Sequence, residues 1–539
     1  ASCHLCFSSF NLKYFVIVCI IQLYLKVKKH RKLQVFHNIL KNAKSAALDN
    51  LINLTNFNQL IIEPCERFAI SSFVLCVSHP TSRDSFRHIV NVISVYEMIV
   101  DFQLRYLSSS VYDRNCNWKE FEQSSRYSLL IGDAMMCEGT KDCHAWLDPL
   151  VGKITTNLGK NFNDIRYEVS TPDESFCLSS LFFVKIISNS NTDNDDEEKE
   201  TSNSVVIKIP SLSSNLREIM KSNEQFHNEI LFYKKFAKYY DRVPRCVYIE
   251  HDDSLNSVIV LENINTQRGY RMCKWKTDIP LEYTIAAFRE IARFHAIAYT
   301  VKKNHKEEFF DLVKSIQEVR FYLGSTTELI INGTANRCLN YLRKQGHDKQ
   351  FCDKLEARLE NAYENLILKF IEVEEPLATI CHGDFTINNM LFKNENDKLK
   401  TIFIDFALIR YGSPILDLST FVCLHCAKSI DKNLLDNVLK AYHDSLIQCL
   451  KENDMDCEQY PFEAFYEDYK KKGLFGFFIA AFFLCILMGK HDEGKKNMME
   501  MDPPVWIERL RHAGGDEVDK ILANMLLKLN EFGCLDNVL

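Results

Sequence analysis

The sequence predicts an α+β chain of two lobes, a small antiparallel sheet followed by a mainly helical body, and three observations carry that reading. Short segments between residues 164 and 210 alternate apolar and polar residues with the period of strands. From Leu281 onward, apolar residues recur at helical spacing over long stretches instead. Within that second part, Cys381 to Asp417 (CHGDFTINNMLFKNENDKLKTIFIDFALIRYGSPILD) returns to a strand, loop, strand pattern that gathers acids and amides.

Bulk composition sets the bounds. A length of 539 residues suits more than one domain, or one two-lobed enzyme with an extension. With 46% apolar and 25% charged residues, the chain has ordinary globular composition and ample material for a core. Lys and Arg number 65 against 72 Asp and Glu, a formal charge of −7, so no nucleic-acid partner is expected. The 20 cysteines are irregularly spaced. The close pairs Cys3-x-x-Cys6 and Cys423-x-x-Cys426 lack the His or Cys partners of a zinc module. The second pair falls in an apolar helical run, where cysteines serve as small core residues. Reduced thiols in a cytoplasmic protein fit this usage.

The chain opens on Ala1 and has its first methionine at Met98, consistent with a fragment, a processed product or a gene model that begins too far upstream. Residues 1–134 carry no motif and are set apart as an uncharacterised N-terminal extension, either inside or outside the mature protein. Its apolar run Tyr14 to Leu25, followed by a basic cluster, is shorter than the roughly 20 residues a spanning helix takes.

Residues 135–264 form the first lobe. Trp146-Leu147 leads into a helix, Asp164 to Ser170 alternates as a strand, and Leu178 to Ile187 follows a polar turn as a second strand. The acidic stretch SNSNTDNDDEEKETSN is too solvated to pack and reads as a disordered hairpin tip. Val205 to Pro210 resumes the sheet. In QFHNEILFYKKF, Phe226, Ile230 and Tyr233 recur on one helical face. Ser257 to Ile264 is an apolar strand ending in a polar crossover to the second lobe, residues 265–539.

Leu281 to Val301 is an amphipathic helix with His295 on or beside its apolar face. That histidine reads as a satisfied core group supporting the acidic loop rather than as a catalyst. Residues 305 to 375 continue as helices with charged faces. Ser413 to Leu418 opens another helix, with Asp417 placed to accept backbone N–H bonds. Gly473 to Gly489 (GLFGFFIAAFFLCILMG) is uncharged and mostly apolar, and reads as a buried helix rather than a stable membrane span. Val505 to Leu539 is amphipathic and helical. Internal repeats and coiled-coil heptads are missing.

The chemistry concentrates in four acids and amides and one lysine. Asp384 follows His-Gly, Asn389 lies five residues on, and Asp405 ends the apolar run Thr401 to Ile404. Two such carboxylates and an amide can hold Mg²⁺ on nucleotide phosphates and orient an attacking hydroxyl. Protein kinases space an Asp and an Asn in this way in the catalytic loop and place another Asp in the DFG loop. Lys208, in VVIK, matches the strand lysine that pairs with phosphates, and Glu229 on the next helix is placed to hold it.

The pattern C-HGD-x-x-x-N-N-x-LF…IDF…R-x-x-SP-x-x-DL resembles the ecdysteroid kinase-like family of arthropods, within the choline and aminoglycoside kinase group of protein-kinase-like fold. VVIKIP at Lys208, NEILFY at Glu229, VLENI at the crossover and RFHAIAY at His295 support the resemblance, which covers about residues 136 to 535. It implies a two-lobed protein-kinase-like fold and an ATP-dependent, Mg²⁺-dependent phosphotransferase. The implied acceptor is a hydroxyl of an ecdysteroid or a related steroid or xenobiotic alcohol, with a role in hormone turnover or detoxification. By position it implies Asp384 as catalytic base, Asn389 and Asp405 as metal ligands, and Lys208, held by Glu229, as phosphate anchor. Backbone groups of Ser175, Cys177 and Ser179 would cradle phosphate, and those of Glu262 and Ile264 would meet adenine. Three positions depart from the family. The phosphate turn Pro172 to Ser180 has no glycine, Thr386 replaces a usual Trp, and Ala407 replaces a frequent Gln. The alternatives are a catalytically inactive nucleotide-binding protein, favoured by the glycine-free turn, or a kinase of choline-like or aminoglycoside-like acceptors. A protein kinase is the least fitting, because HRD, DFG and APE forms are missing.

Overall fold

A five-stranded antiparallel sheet, ordered β1-β2-β3-β5-β4, forms the first lobe: β1 Ile165–Ser170, β2 Ser179–Ser190, β3 Lys199–Pro210, β4 Cys246–Glu250 and β5 Val258–Glu262. The computed structural model describes residues 146–158, 165–172, 179–190, 199–211, 214–251, 257–490 and 503–539. The N-terminal extension, Cys3, Cys6, Ser175, Cys177 and most of the glycine-free turn lie outside the described residues.

Strand alternation sorts this lobe into two faces. Ile207 and Ile209 join Phe182, Val184, Ile186, Val205 and Val260 in a core covered by helix α1 (Leu147–Asn157) through Leu147, Leu150, Val151 and Ile154. Trp146 packs edge-on against Phe182, ring centroids 5.2 Å apart. Lys208, between Ile207 and Ile209, points to the other face, where helix α2 (Ser222–Leu231) lies. The hairpin is longer than its composition suggests. Ser188 to Ser190 pair with Thr201 to Lys199, so the acidic stretch is strand at both ends and only residues 191–198 fall outside the described part. Backbone pairing needs no apolar side chains, which is why composition under-read it.

The second lobe is built on helix α3 (Leu281–Asn304), which starts after Pro280, carries Glu282 in its first turn and ends on Lys302 and Lys303, the charge order a helix dipole favours. Its buried face runs through Ala287, Phe288, Ile291, Ala292, His295, Ala298 and Tyr299. Helix α4 (Lys306–Ser315) follows, then an irregular segment, residues 316–325. A three-stranded sheet of β6 (Arg271–Met272), β8 (Met390–Glu395) and β9 (Lys398–Phe403), and a pair of β7 (Thr379–Cys381) with β10 (Arg410–Gly412), frame the acidic loops.

Helix α5 (Ile415–His425) packs on the uniformly apolar α6 (Leu474–Leu487), the helix expected from Gly473 to Gly489. Gly476 makes that approach possible, since a Cβ there would stand 2.1 Å from the Ser419 carbonyl oxygen. No described helix is long and apolar enough to cross a membrane. The C-terminal stretch forms two helices, Pro503–His512 and Gly515–Glu531, broken at Gly514 in a left-handed conformation. Among the described residues every cysteine is free, and Cys423 and Cys426 are buried.

Candidate active site

The site lies where two loops from the β7–β10 region meet β3 and α2. The first loop, His382 to Asn389, leaves β7 through Gly383, whose φ is +79°. Any side chain here would put its Cβ 1.7 Å from the Leu408 carbonyl oxygen, so the loop carrying Asp384 lies directly against the loop that follows Asp405. His382 ties the two together. Its Nδ1 accepts the Asp384 N–H at 3.3 Å, leaving Nε2 to donate to the Ile404 carbonyl at 3.1 Å.

Asp417 holds this loop from below. Its Oδ2 accepts the His382 N–H at 2.7 Å, and its Oδ1 accepts the Gly383 N–H at 2.9 Å. His295, fully buried, approaches Asp417 Oδ2 at 3.3 Å through Nε2 and accepts the Tyr442 hydroxyl at 2.9 Å on Nδ1. Burial pushes the His295 pKa down, which keeps the ring neutral, while the Asp417 carboxyl is held low by His295, His382 and the loop N–H groups against its own burial. His295 is therefore part of a buried brace. His425 performs the same service at the other end of the loop. Its Nε2 accepts the Ile387 N–H at 2.9 Å, and its Nδ1 donates to the Lys276 carbonyl at 2.6 Å.

Asn389 Nδ2 donates to Asp384 twice, to the carbonyl at 3.0 Å and to Oδ2 at 2.7 Å. Thr386 is buried, and its N–H closes on the Asp384 carbonyl at 2.8 Å, fixing the turn before the short helix Ile387–Asn389. Asp405 adopts φ +64°, a left-handed conformation that costs an L-residue about 1 kcal/mol and clusters at functional sites. Phe406 behind it stacks on Phe232 of the first lobe, centroids 3.7 Å apart.

Lys208 Nζ sits between two carboxylates, 2.6 Å from Glu229 Oε2 and 2.8 Å from Asp405 Oδ1. Burial acts to lower the lysine pKa, but these two anions override it and hold it above its ordinary value. Burial raises the Glu229 carboxyl, whereas Asp405 is held below its usual range because Lys208 outweighs burial. Asp384 is raised by burial, with Arg320 opposing. Arg320, from the irregular segment 316–325, also donates to the Gly383 carbonyl.

The structure thus brings together Lys208, Glu229, Asp384, Asn389 and Asp405, which lie as much as 197 residues apart. Ser179 opens β2 opposite Pro210. Ile264 is buried with Leu391 and Ile402, flanked by Tyr270 and Ile404, in a small apolar cluster under the crossover. Glu262 lies at the end of β5, where the chain crosses to the second lobe. Its N–H is spent on the Arg245 carbonyl at 2.9 Å and its carboxylate on Arg268, Nε at 2.9 Å, so both serve the crossover's own fold. Sequence reasoning missed Asn228, Arg320, His382 as a bridge, and His425. For Asn228 a signal was present, because asparagine is a poor interior residue for a helix.

A strand lysine held by a helix acid, with HGD, Asn and a second Asp converging on it, defines a kinase-like phosphotransferase of two-lobed α+β fold. The ecdysteroid kinase-like family model matches residues 177–455, and the chain belongs to that family. It is therefore a small-molecule phosphotransferase with an alcohol group as acceptor. Comparison with curated proteins gives no match. Among solved structures, an ethanolamine kinase of Plasmodium vivax is 12% identical with a TM-score of 0.37, over 77% of this chain and 97% of its own. A microcompartment-associated aminopropanol kinase is likewise 12% identical with a TM-score of 0.37, over 71% of this chain and 99% of its own.

Proposed function

We propose that the chain transfers the γ-phosphoryl group of ATP to a hydroxyl of a small neutral molecule, an ecdysteroid or a related steroid or xenobiotic alcohol. The observation that carries this reading is Lys208, buried and bonded to both Glu229 and Asp405 across the lobes. A cation fixed there meets phosphate oxygens at no cost in reorganisation.

The donor set fits a hard divalent cation. Asn389 offers an amide oxygen, and Asp405 a carboxylate whose side chain is 37% exposed and has one oxygen not bonded to Lys208. When bound, Mg²⁺ would neutralise charge on the β- and γ-phosphates. The chain's own residues do the remainder. Lys208 anchors phosphate, Glu229 keeps the ammonium in place, and Asn389 fixes the rotamer of Asp384 through the 2.7 Å bond. Asp384 orients the acceptor hydroxyl and takes its proton as the bond to phosphorus forms. Asp417 and His295 hold the loop backbone while this happens.

The test uses the purified full chain with labelled ATP and Mg²⁺, and a panel of ecdysteroids, plant glycosides, phenols and choline. Transfer to a steroid or phenolic alcohol supports the reading, and transfer to choline alone replaces it with the cationic-acceptor alternative. Asp384→Asn should lower kcat by about 10² to 10⁴ while MgATP still binds. Full turnover in that variant removes Asp384 from the mechanism.

A further inference from the structure

Asn228 is fully buried in α2, beside Glu229, and the kinase mechanism above gives it no part. A buried carboxamide is costly unless its donors and acceptor are met. Here they are met by backbone from two other parts of the chain. Nδ2 donates to the Gln317 carbonyl at 2.8 Å and Oδ1 accepts the Gln317 N–H at 2.9 Å, a two-point pairing like one rung of a β-ladder. Nδ2 also reaches the Ala407 carbonyl at 3.3 Å.

Both partners lead into the site. Ala407 is two residues past Asp405. Gln317 is the second residue of the irregular segment 316–325, in which Glu318 accepts the N–H groups of Arg320 and Phe321, each at 3.0 Å, and Arg320 reaches the Gly383 carbonyl. One side chain therefore joins the helix that carries Glu229 to the Asp405 loop and, through a four-residue strap, to the loop that carries Asp384. Adjacent His227 adds a bond from Nε2 to the Ser315 carbonyl at 3.0 Å.

We propose that Asn228 is a positioning residue, which clamps α2 to the second lobe so that Glu229 holds Lys208 at the phosphate site. This rests on the kinase reading given above. In this arrangement the lysine–glutamate pair is set by the fold's own hydrogen bonds and needs no separate event to form it. Asn228, fully buried, presents no surface to nucleotide or acceptor. Its whole effect passes through Glu229.

The experiment is a double-mutant cycle on MgATP affinity, read by titration calorimetry on the full chain, with Asn228→Ala, Glu229→Gln and the double variant. Asn228→Ala should weaken MgATP about tenfold alone, but less than about twofold in the Glu229→Gln background. Equal losses in both backgrounds, or no loss in either, overturn the proposal. If Asn228→Ala does not fold, Gln317→Pro enters the same cycle. It removes the N–H that Asn228 accepts, and Ile316 already has φ −66° and ψ 129°, the region favoured before proline. The readout does not depend on turnover. A wild-type chain that binds MgATP but phosphorylates no alcohol sinks the kinase reading and leaves the cycle to judge the clamp, whereas one that binds no MgATP overturns both.

Discussion

Lys208 is the residue on which stability and function bear at once. Glu229 is 1% exposed in its side chain and has no cation partner besides Lys208 among the described ion pairs. Lys208→Met should therefore cost about 3 kcal/mol, the penalty for stranding one half of a buried pair, seen as a lower urea midpoint. Adding Glu229→Gln should return part of that stability and none of the nucleotide affinity. His425 makes a pH-dependent contribution. Burial lowers its pKa from 6.5 to about 4, against the opposing bond to the Lys276 carbonyl, and the neutral ring accepts the Ile387 N–H. The unfolded chain takes up that proton first, so the contribution is full above pH 6.5 and is lost as pH falls toward about 4. Integrated, this is about 3 kcal/mol. The Tm should fall more steeply over that window in the wild type than in His425→Gln. The lysine, its glutamate and the acids of both loops were legible because each sits in a local pattern of strand, helix or turn. Arg320 and His425 were not, because each bonds main-chain groups far away in sequence, and a backbone partner leaves no mark on residue type; Asn228 left the mark of an asparagine inside a helix, but not the identity of its partners.

At the scale of elements, periodicity gave the helices and the meander, but not the contacts between them. Leu474–Leu487 is apolar all round, and its burial follows from that alone. What the pattern could not supply is the distance of approach, which Gly476 sets. Gly476→Ala should destabilise the protein by about 1–3 kcal/mol through forced separation of the two helices, read as a lower Tm with MgATP affinity unchanged at low temperature. A second element escaped the pattern because it breaks the period. After Leu231 the helix widens by one residue, closed by the Ala237 N–H on the Phe232 carbonyl at 2.9 Å. That extra residue belongs to the turn that brings Phe232 onto Phe406 and Phe236 onto Phe294, 5.5 Å between centroids.

At the scale of the whole molecule, the two lobes predicted from composition and period are both present, as a five-stranded sheet and a helical body. The core under α1 belongs to the first lobe alone, but the largest core does not stop between the lobes. Phe226, Ile230, Phe232, Phe236, Ile259 and Leu261 of the first lobe belong to one continuous core with Phe294, Phe385, Phe403, Phe406 and Phe421 of the second. Any boundary drawn near residue 264 would cut through packed apolar surface. The energetic consequence concerns cooperativity. Neither lobe can open without exposing aromatic rings that belong to the other, so residues 146–539 should melt in a single calorimetric transition whose van't Hoff and calorimetric enthalpies agree. Two separated transitions would mean that the shared core contributes less than its packing suggests. On this view the candidate site belongs to one thermodynamic unit, and the aromatic stack of Phe406 on Phe232, next to Asp405, is where that unit is joined.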